Sequence, residues 1–308
     1  MLARLQQLIT FGLLATAAAW AAVFFARGET AWAVGGALFI LLSYALFLAL
    51  EFILLWLVNR ADPTPNATAA QLLAAWWGEV VTAPMVFCWR QPFRSNVQPD
   101  FLPVSSNNAP AQRGVVFIHG YVCNRGLWNP LMAKLQARGV PFLAMNLEPV
   151  FGSIDNYTPQ IAAAVERITQ ATGLAPVLVA HSMGGLAARA WLKTASDADL
   201  PHRIITIGTP HHGTWLARFG STLNALQMRR GDGWQRALSA SETPTRLSRF
   251  ICFYGHADNI VFPASTATLP GADNRHIEAC AHVHMAYHAE VFAELMKQLE
   301  PVGLTPCP

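Results

Sequence analysis

Residues 177–193 read Val-Leu-Val-Ala-His-Ser-Met-Gly-Gly-Leu-Ala-Ala-Arg-Ala-Trp-Leu-Lys. A short apolar, β-branched run reads as a buried strand, and the stretch from Gly184 onward reads as the helix that follows it. Between them, Ala180-His181-Ser182-Met183-Gly184 is G-x-S-x-G with alanine at the first glycine. A serine on a tight strand-to-helix turn projects its Oγ above the sheet, and small residues two before and two after let that strained turn close. The helix starting there points its N-terminus at the site and favours developing negative charge. Ser182 is the candidate nucleophile, with His181 and Gly184 as supporting neighbours.

The surrounding chain repeats the alternation. Residues 115–118 (VVFI), 141–146 (PFLAMN), 203–208 (RIITIG) and 249–254 (RFICFY) are further runs of the buried parallel-strand type. Helical stretches fall at 126–138, 158–172, 184–196 and 285–299, with a variable region at 214–245. Alternation of this kind predicts an α/β fold with a mostly parallel, doubly wound sheet, whose ligands bind at the carboxyl ends of the strands. A short strand around Phe101 is an option for the start of the sheet.

The residues just after the strands supply the remaining chemistry. The first strong strand ends in His119-Gly120-Tyr121. An oxyanion hole takes one backbone N–H from the residue after the nucleophile and one from this loop. Met183 and Tyr121 are therefore the expected donors, Gly120 permits the close backbone approach, and His119 supports the loop. Acid and base should follow the serine in that order. Asp258 stands just past the strand ending at Tyr254, with Asp273 as a rival farther along. His282, His284 and His288 compete as base. His284 directly precedes the last helix and is preferred; His282 lies deeper in the loop and His288 inside the helix. The same His-x-His-x3-His spacing could bind a metal, with His211 and His212 nearby, but a nucleophile and oxyanion loop already account for catalysis. No metal and no cofactor are expected.

The N-terminal third is different. Over 308 residues, 53% are hydrophobic and only 13% charged, with a net charge of +3. This excludes a disordered charged tail, and the lack of any basic cluster gives no footprint for nucleic acid. Much of the apolar excess lies in residues 8–26 and 31–58, where Glu51 is the one charge. Each run is long enough to span a bilayer, and the short link between them predicts a transmembrane helical hairpin over residues 1–60. The first run also fits a signal peptide, in which case the second remains as an anchor. Arg4 and Arg60 favour a cytoplasmic start and finish, while Arg27 opposes it. Glu51 reads either as a functional intramembrane carboxylate or, lying near the end of its run, as a residue at the membrane interface, which is preferred. Residues 61–113 read as a linker plus a helix carrying Trp76 and Trp77, suited either to the headgroup region or to packing on the core. Five scattered cysteines outline neither a disulfide framework nor a zinc site.

From about residue 114 to 299 the chain resembles bacterial lipases and esterases of the α/β-hydrolase superfamily. AHSMGG resembles the nucleophile elbow, FIHGY the oxyanion loop, GHADNIVFP the acid loop and AHVHMAY the histidine loop, although Val283 stands where glycine usually precedes the histidine. GTPHHGT (208–214) resembles a segment beside the active site, which makes His211 and His212 support or pocket residues. The resemblance implies a catalytic domain over 114–308 that cleaves carboxylic esters through Ser182, Asp258 and His284. Residues 214–245, apolar at Trp215, Leu216 and Phe219, suit a cap or lid. Lipophilic esters at a lipid bilayer are the expected substrates, with the catalytic domain on the cytoplasmic side of a bacterial inner membrane. An acyltransferase using the same triad and a non-catalytic membrane scaffold are the alternatives.

Overall fold

The structure is a computed structural model that describes residues 1–102 and 112–300. Part of the 95–113 loop and Cys307 lie outside the described residues. Cys88, Cys123, Cys252 and Cys280 carry free thiols.

Two long helices open the chain, α1 (Leu2–Ala26) and α2 (Thr30–Asn59), joined as the expected hairpin. Their 25 and 30 residues rise about 37 and 45 Å at 1.5 Å each, against a hydrocarbon core of about 30 Å. Trp20 on α1 donates from Nε1 to the Trp32 carbonyl on α2 at 2.9 Å, and Gly36 gives its ring room.

Helix α3 (Ala69–Pro84) starts at Thr68, whose hydroxyl accepts from Gln71 N while Gln71 Oε1 accepts from Thr68 N. This reciprocal capping satisfies two amides that a helix start would otherwise strand. Pro84 lacks an N–H, and the helix passes into a π turn, Met85–Arg90, and then the short α4 (Gln91–Phe93). The stretch Ala69–Phe93 is also long and apolar enough to cross a membrane. It packs on the core of the following domain through Ala75 and Glu79 and leaves Leu73, Trp77, Val81, Met85 and Trp89 exposed at steps of four residues. The packing role expected of this helix is thus met by one face, and the other face is exposed and apolar.

The remainder is a sheet wrapped by helices: β1 (Val115–Ile118), α5 (Asn129–Gln136), β2 (Phe142–Ala144), α6 (Thr158–Thr172), β3 (Val177–His181), α7 (Met183–Thr194) and β4 (Arg203–Ile207). Then follow α8 (Leu223–Gln227), α9 (Gly233–Ala240), α10 (Pro244–Leu247), β5 (Phe250–Tyr254), β6 (Asp273–His276), α11 (His282–Met285) and α12 (Ala289–Gln298). All six strands pair in parallel in the order β2-β1-β3-β4-β5-β6. Alternate strand residues face opposite ways. Val116, Ile118, Leu178 and Ile204 pack with α6 and α7, while Val115, Phe117, Val179 and Ile207 pack with α5 and α12. Phe101 makes an isolated antiparallel bridge to Phe142.

Two expectations change. Strand β6 was not anticipated, because an edge strand with one neighbour needs no apolar run; Asp273 and Asn274 are exposed on it. The last helix starts at Ala289 rather than 285, with His288 Nδ1 accepting from Glu290 N at its cap.

Residues 214–245 form short helices fastened to α7. Arg189, with a fully buried side chain, donates from Nε and Nη2 to the two Glu242 oxygens at 2.7 and 2.8 Å, and from Nη1 to the His211 carbonyl at 2.7 Å. Breaking such a pair leaves a buried charge uncompensated and costs about 3–5 kcal/mol. Glu242→Ala should therefore lower the melting temperature by about 10 °C in detergent-solubilised protein, measured by circular dichroism; an unchanged transition would refute the pinning role.

Candidate active site

Ser182 occupies the tip of the turn between β3 and α7 at φ 56°, ψ −129°, a conformation that side chains other than glycine rarely adopt. Such backbone costs of order 1–3 kcal/mol and persists only where its surroundings fix it. Here Ser182 N donates to Ile207 O at 2.9 Å, and Thr209 Oγ1 donates to Ser182 O at 2.9 Å. A Cβ on Gly184 would stand 2.6 Å from Ile118 O and 2.7 Å from His119 O, so only glycine lets α7 start this close to β1. Ala180, two residues before the serine, is fully buried in the sheet.

The acid position falls where the strand pattern put it. Asp258 is buried, its Oδ1 accepting from Ile260 N (2.9 Å) and Val261 N (2.8 Å). Its Oδ2 faces His282 Nδ1 at 2.9 Å. A carboxylate can only accept, so Nδ1 carries the proton and Nε2 the lone pair. The rival Asp273 is on the edge strand, paired with Arg275 at 2.6 Å.

The histidine preference is corrected. His282, not His284, is the partner of Asp258. The peptide before His282 lies extended at Ala281, the cap of α11, and places His282 on the first turn facing the strand tips. Two residues on, His284 turns outward, and its ring packs against Gly78 of α3, where a Cβ would collide with Nδ1. The three histidines thus do three separate things: His282 meets Asp258, His284 packs on α3, and His288 caps α12. The overlooked signal is alanine in place of glycine, at Ala281 before the histidine as at Ala180 before the serine.

Electrostatics sharpen the contrast. For His282, burial is the largest influence and lowers the pKa, yet Asp258, Glu79 and Glu51 together outweigh it, and the net displacement is upward. His181, whose ring lies 4.6 Å from that of His282, is driven well below its ordinary value by burial and by His282, and stays neutral. Its Nε2 lies 3.1 Å from the His282 carbonyl. His284 is lowered by burial and by His288.

The loop after β1 lies over the serine. A Cβ on Gly120 would stand 2.7 Å from Ser182 Cβ and 3.3 Å from its Oγ. His119 is buried and depressed to about 4 by burial. Its Nε2 accepts from Leu147 N at 3.0 Å, so its Nδ1 donates to Gly120 O at 2.9 Å and ties the loop to the end of β2. Tyr121 follows, and Val122 then takes a positive φ of 52°, rare for a β-branched residue. His211 is buried with Nε2 3.1 Å from Thr206 Oγ1, a supporting position, whereas His212 lines a separate pocket with Arg230 and Thr266.

Glu51 and Glu79 reach this centre from the N-terminal helices, and Asn259 joins them from beside Asp258; the sequence alone assigns no role to Glu79 or Asn259. Glu51 of α2 is buried, at 8% exposure, and accepts from Asn259 Nδ2 at 2.7 Å. Asn259 Oδ1 in turn accepts from His282 N at 3.2 Å. Glu79 of α3 accepts from Val283 N (3.1 Å) and His284 N (3.0 Å), capping the first turn of α11. Ser182, His181, His282 and Tyr121 line one cavity of about 580 Å³. Its other walls come mainly from α1, α2, α3 and the π turn, and none of its lining residues belongs to 214–245.

The model of the alpha/beta hydrolase family matches residues 115–295. Among solved structures, the mature lipase BlEst2 of Bacillus licheniformis is 20% identical, with 64% of this chain and 96% of that one covered at a TM-score of 0.54. Lipase B of Aspergillus fumigatus is 18% identical, covering 65% of this chain and 55% of its own at a TM-score of 0.55. At these identities the two structures speak to the fold alone. The helices α1 to α3 precede the matched region. With a family match over more than half its length, and a strained serine turn on a parallel sheet, the chain belongs to the alpha/beta hydrolase family.

Proposed function

We propose that this protein is a membrane-anchored serine hydrolase that cleaves carboxylic esters of lipophilic acyl groups, with Ser182, His282 and Asp258 as its triad. The observation that carries the reading is the Asp258–His282 pair at 2.9 Å, whose imidazole lines the same cavity as a serine held at positive φ. Ser182 Oγ attacks the ester carbonyl and passes its proton to His282 Nε2, while Asp258 holds Nδ1–H and stabilises the imidazolium. The backbone N–H groups of Met183 and Tyr121 receive the oxyanion. When the ester C–O bond breaks, His282 returns the proton to the leaving alcohol. Water, deprotonated by the same imidazole, then releases the acid from Ser182.

Anchorage is supported by the apolar length of α1 and α2 and by contacts at the hairpin's two ends. Gln6 near the start of α1 donates to the Val122 carbonyl, and Asn59 at the end of α2 donates to the His256 carbonyl. Both ends therefore meet the hydrolase on one side, as a two-span hairpin requires, and Arg4 and Arg60 favour the cytoplasm for that side.

Ser182→Ala should abolish p-nitrophenyl ester hydrolysis and fluorophosphonate labelling by the solubilised full chain, a loss on the order of 10⁴–10⁶-fold in rate. Ordinary turnover in that variant would end the assignment. His282→Ala should lose a similar amount while His284→Ala stays within about tenfold of the parent; the reverse ranking would return the base to His284. Because His282 must be unprotonated to act and its pKa is raised above the ordinary 6.5, kcat/KM should fall as pH drops through a midpoint above 6.5. A midpoint below that value would contradict the raised base. Product analysis with an added acceptor alcohol separates hydrolysis from acyl transfer.

A further inference from the structure

The cavity at Ser182 has a graded wall. Its innermost residues are closed off, with Ser182 at 7% and Glu51 at 8% exposure, and Leu48, one turn of α2 away, is at 9%. Its outermost residues are open: Ile9 at 61%, Leu14 at 50% and Phe47 at 62%. These three are on α1 and α2, so the mouth lies in the surface of the two helices that are long and apolar enough to cross a bilayer. The helix surface around that mouth is apolar too, with Leu8, Phe11, Leu42 and Leu46 exposed.

Polarity is graded in the same direction. The carboxylates of Glu51 and Glu79 are at the catalytic end, each already bonded to the loops that carry Asn259 and His282. Beyond them the wall is mainly apolar, with Leu13, Leu14, Leu41, Phe47, Ala83 and Phe87, and the hydroxyls of Thr10 and Tyr44 there are taken up by the Gln6 and Val80 carbonyls. A volume of about 580 Å³ is within the 300–1,000 Å³ range of small-molecule sites. An opening into hydrocarbon would admit only an apolar chain, and a polar inner end would retain the ester head beside the nucleophile.

We propose that α1, α2 and α3 form the acyl-binding chamber of the enzyme, opening sideways into the bilayer between Leu14 and Phe47. Its occupant is the acyl chain of an ester lipid that reaches Ser182 without leaving the membrane. The hairpin is then substrate-binding machinery as well as an anchor, and residues 214–245 do not hold the chain. This inference rests on the serine hydrolase reading above.

The test uses the full chain in lipid nanodiscs and an octyl fluorophosphonate carrying a diazirine at the chain end. Labelling of Ser182, in which the serine oxygen displaces fluoride from phosphorus, reports the hydrolase; irradiation then reports where the chain lies. Crosslinks are expected in peptides holding residues 9–14, 41–48 or 83–88. Crosslinks confined to 214–245, or labelled Ser182 with no protein crosslink, would overturn the chamber and leave the hydrolase standing. No labelling of Ser182 would remove both. In a second measurement, Ala83→Trp fills the chamber and should slow labelling by the octyl reagent about tenfold more than labelling by the methyl reagent. Phe39→Ala, a change on the exposed face of α2 outside the chamber, should leave that ratio as it was. Equal slowing of both reagents by Ala83→Trp would count against an acyl subsite there.

Discussion

Two carboxylates carried on apolar helices constrain the rest of this molecule. Glu51 and Glu79 cannot face hydrocarbon without partners, since an unpaired buried carboxylate costs several kcal/mol. Their partners are on the catalytic loops: the Asn259 side chain for Glu51 and the amides of Val283 and His284 for Glu79. Satisfying them seats α2 and α3 on the carboxyl edge of the sheet. It also sets the acid and histidine loops, because Asn259 and the first turn of α11 belong to those loops. The cavity between helices and sheet, and the aim of the His282 ring, both follow from that docking.

The loop after β1 is held in a similar manner from the other end of the hairpin. Val122, at positive φ, offers its carbonyl to Gln6 of α1, and Gln6 is itself bonded to Gln91 at 2.7 Å. Ser182, the other strained residue of the site, is held from within the sheet by Ile207 and Thr209. Strain at Ser182 is thus borne by the family fold, and strain beside Tyr121 by the appended helices. Near Ser182 the histidines His119 and His181 are both kept neutral by burial, which leaves His282 as the imidazole whose proton affinity the surrounding carboxylates raise.

Much of this was legible in the sequence wherever chemistry and periodicity coincide locally. The run before Ser182 is strand β3, the strand ending at Tyr254 delivers Asp258, and the hairpin lengths follow from uncharged stretches. Strand β6 was invisible because an edge strand carries no buried run. His284 outranks His282 on sequence because that ranking rests on position relative to the last helix, whereas the chain inserts the short α11 and spends its first turn on His282. Glu51, Glu79 and Asn259 share no local pattern at all. Their bonds span about 200 residues of separation for the two glutamates, and only the folded chain brings them together.

The bolting of residues 214–245 to α7 bears on how the enzyme responds to its surroundings. A mobile flap gives a lipase a threshold: turnover jumps when an oil–water boundary pries the flap away. Arg189 and Glu242, locked in a two-point bond with Arg189 wholly buried, hold the carboxyl end of this segment against α7. On the proposed lipid-hydrolase reading, a segment pinned there would open less readily at an oil–water boundary, and velocity would follow the mole fraction of ester lipid in the leaflet.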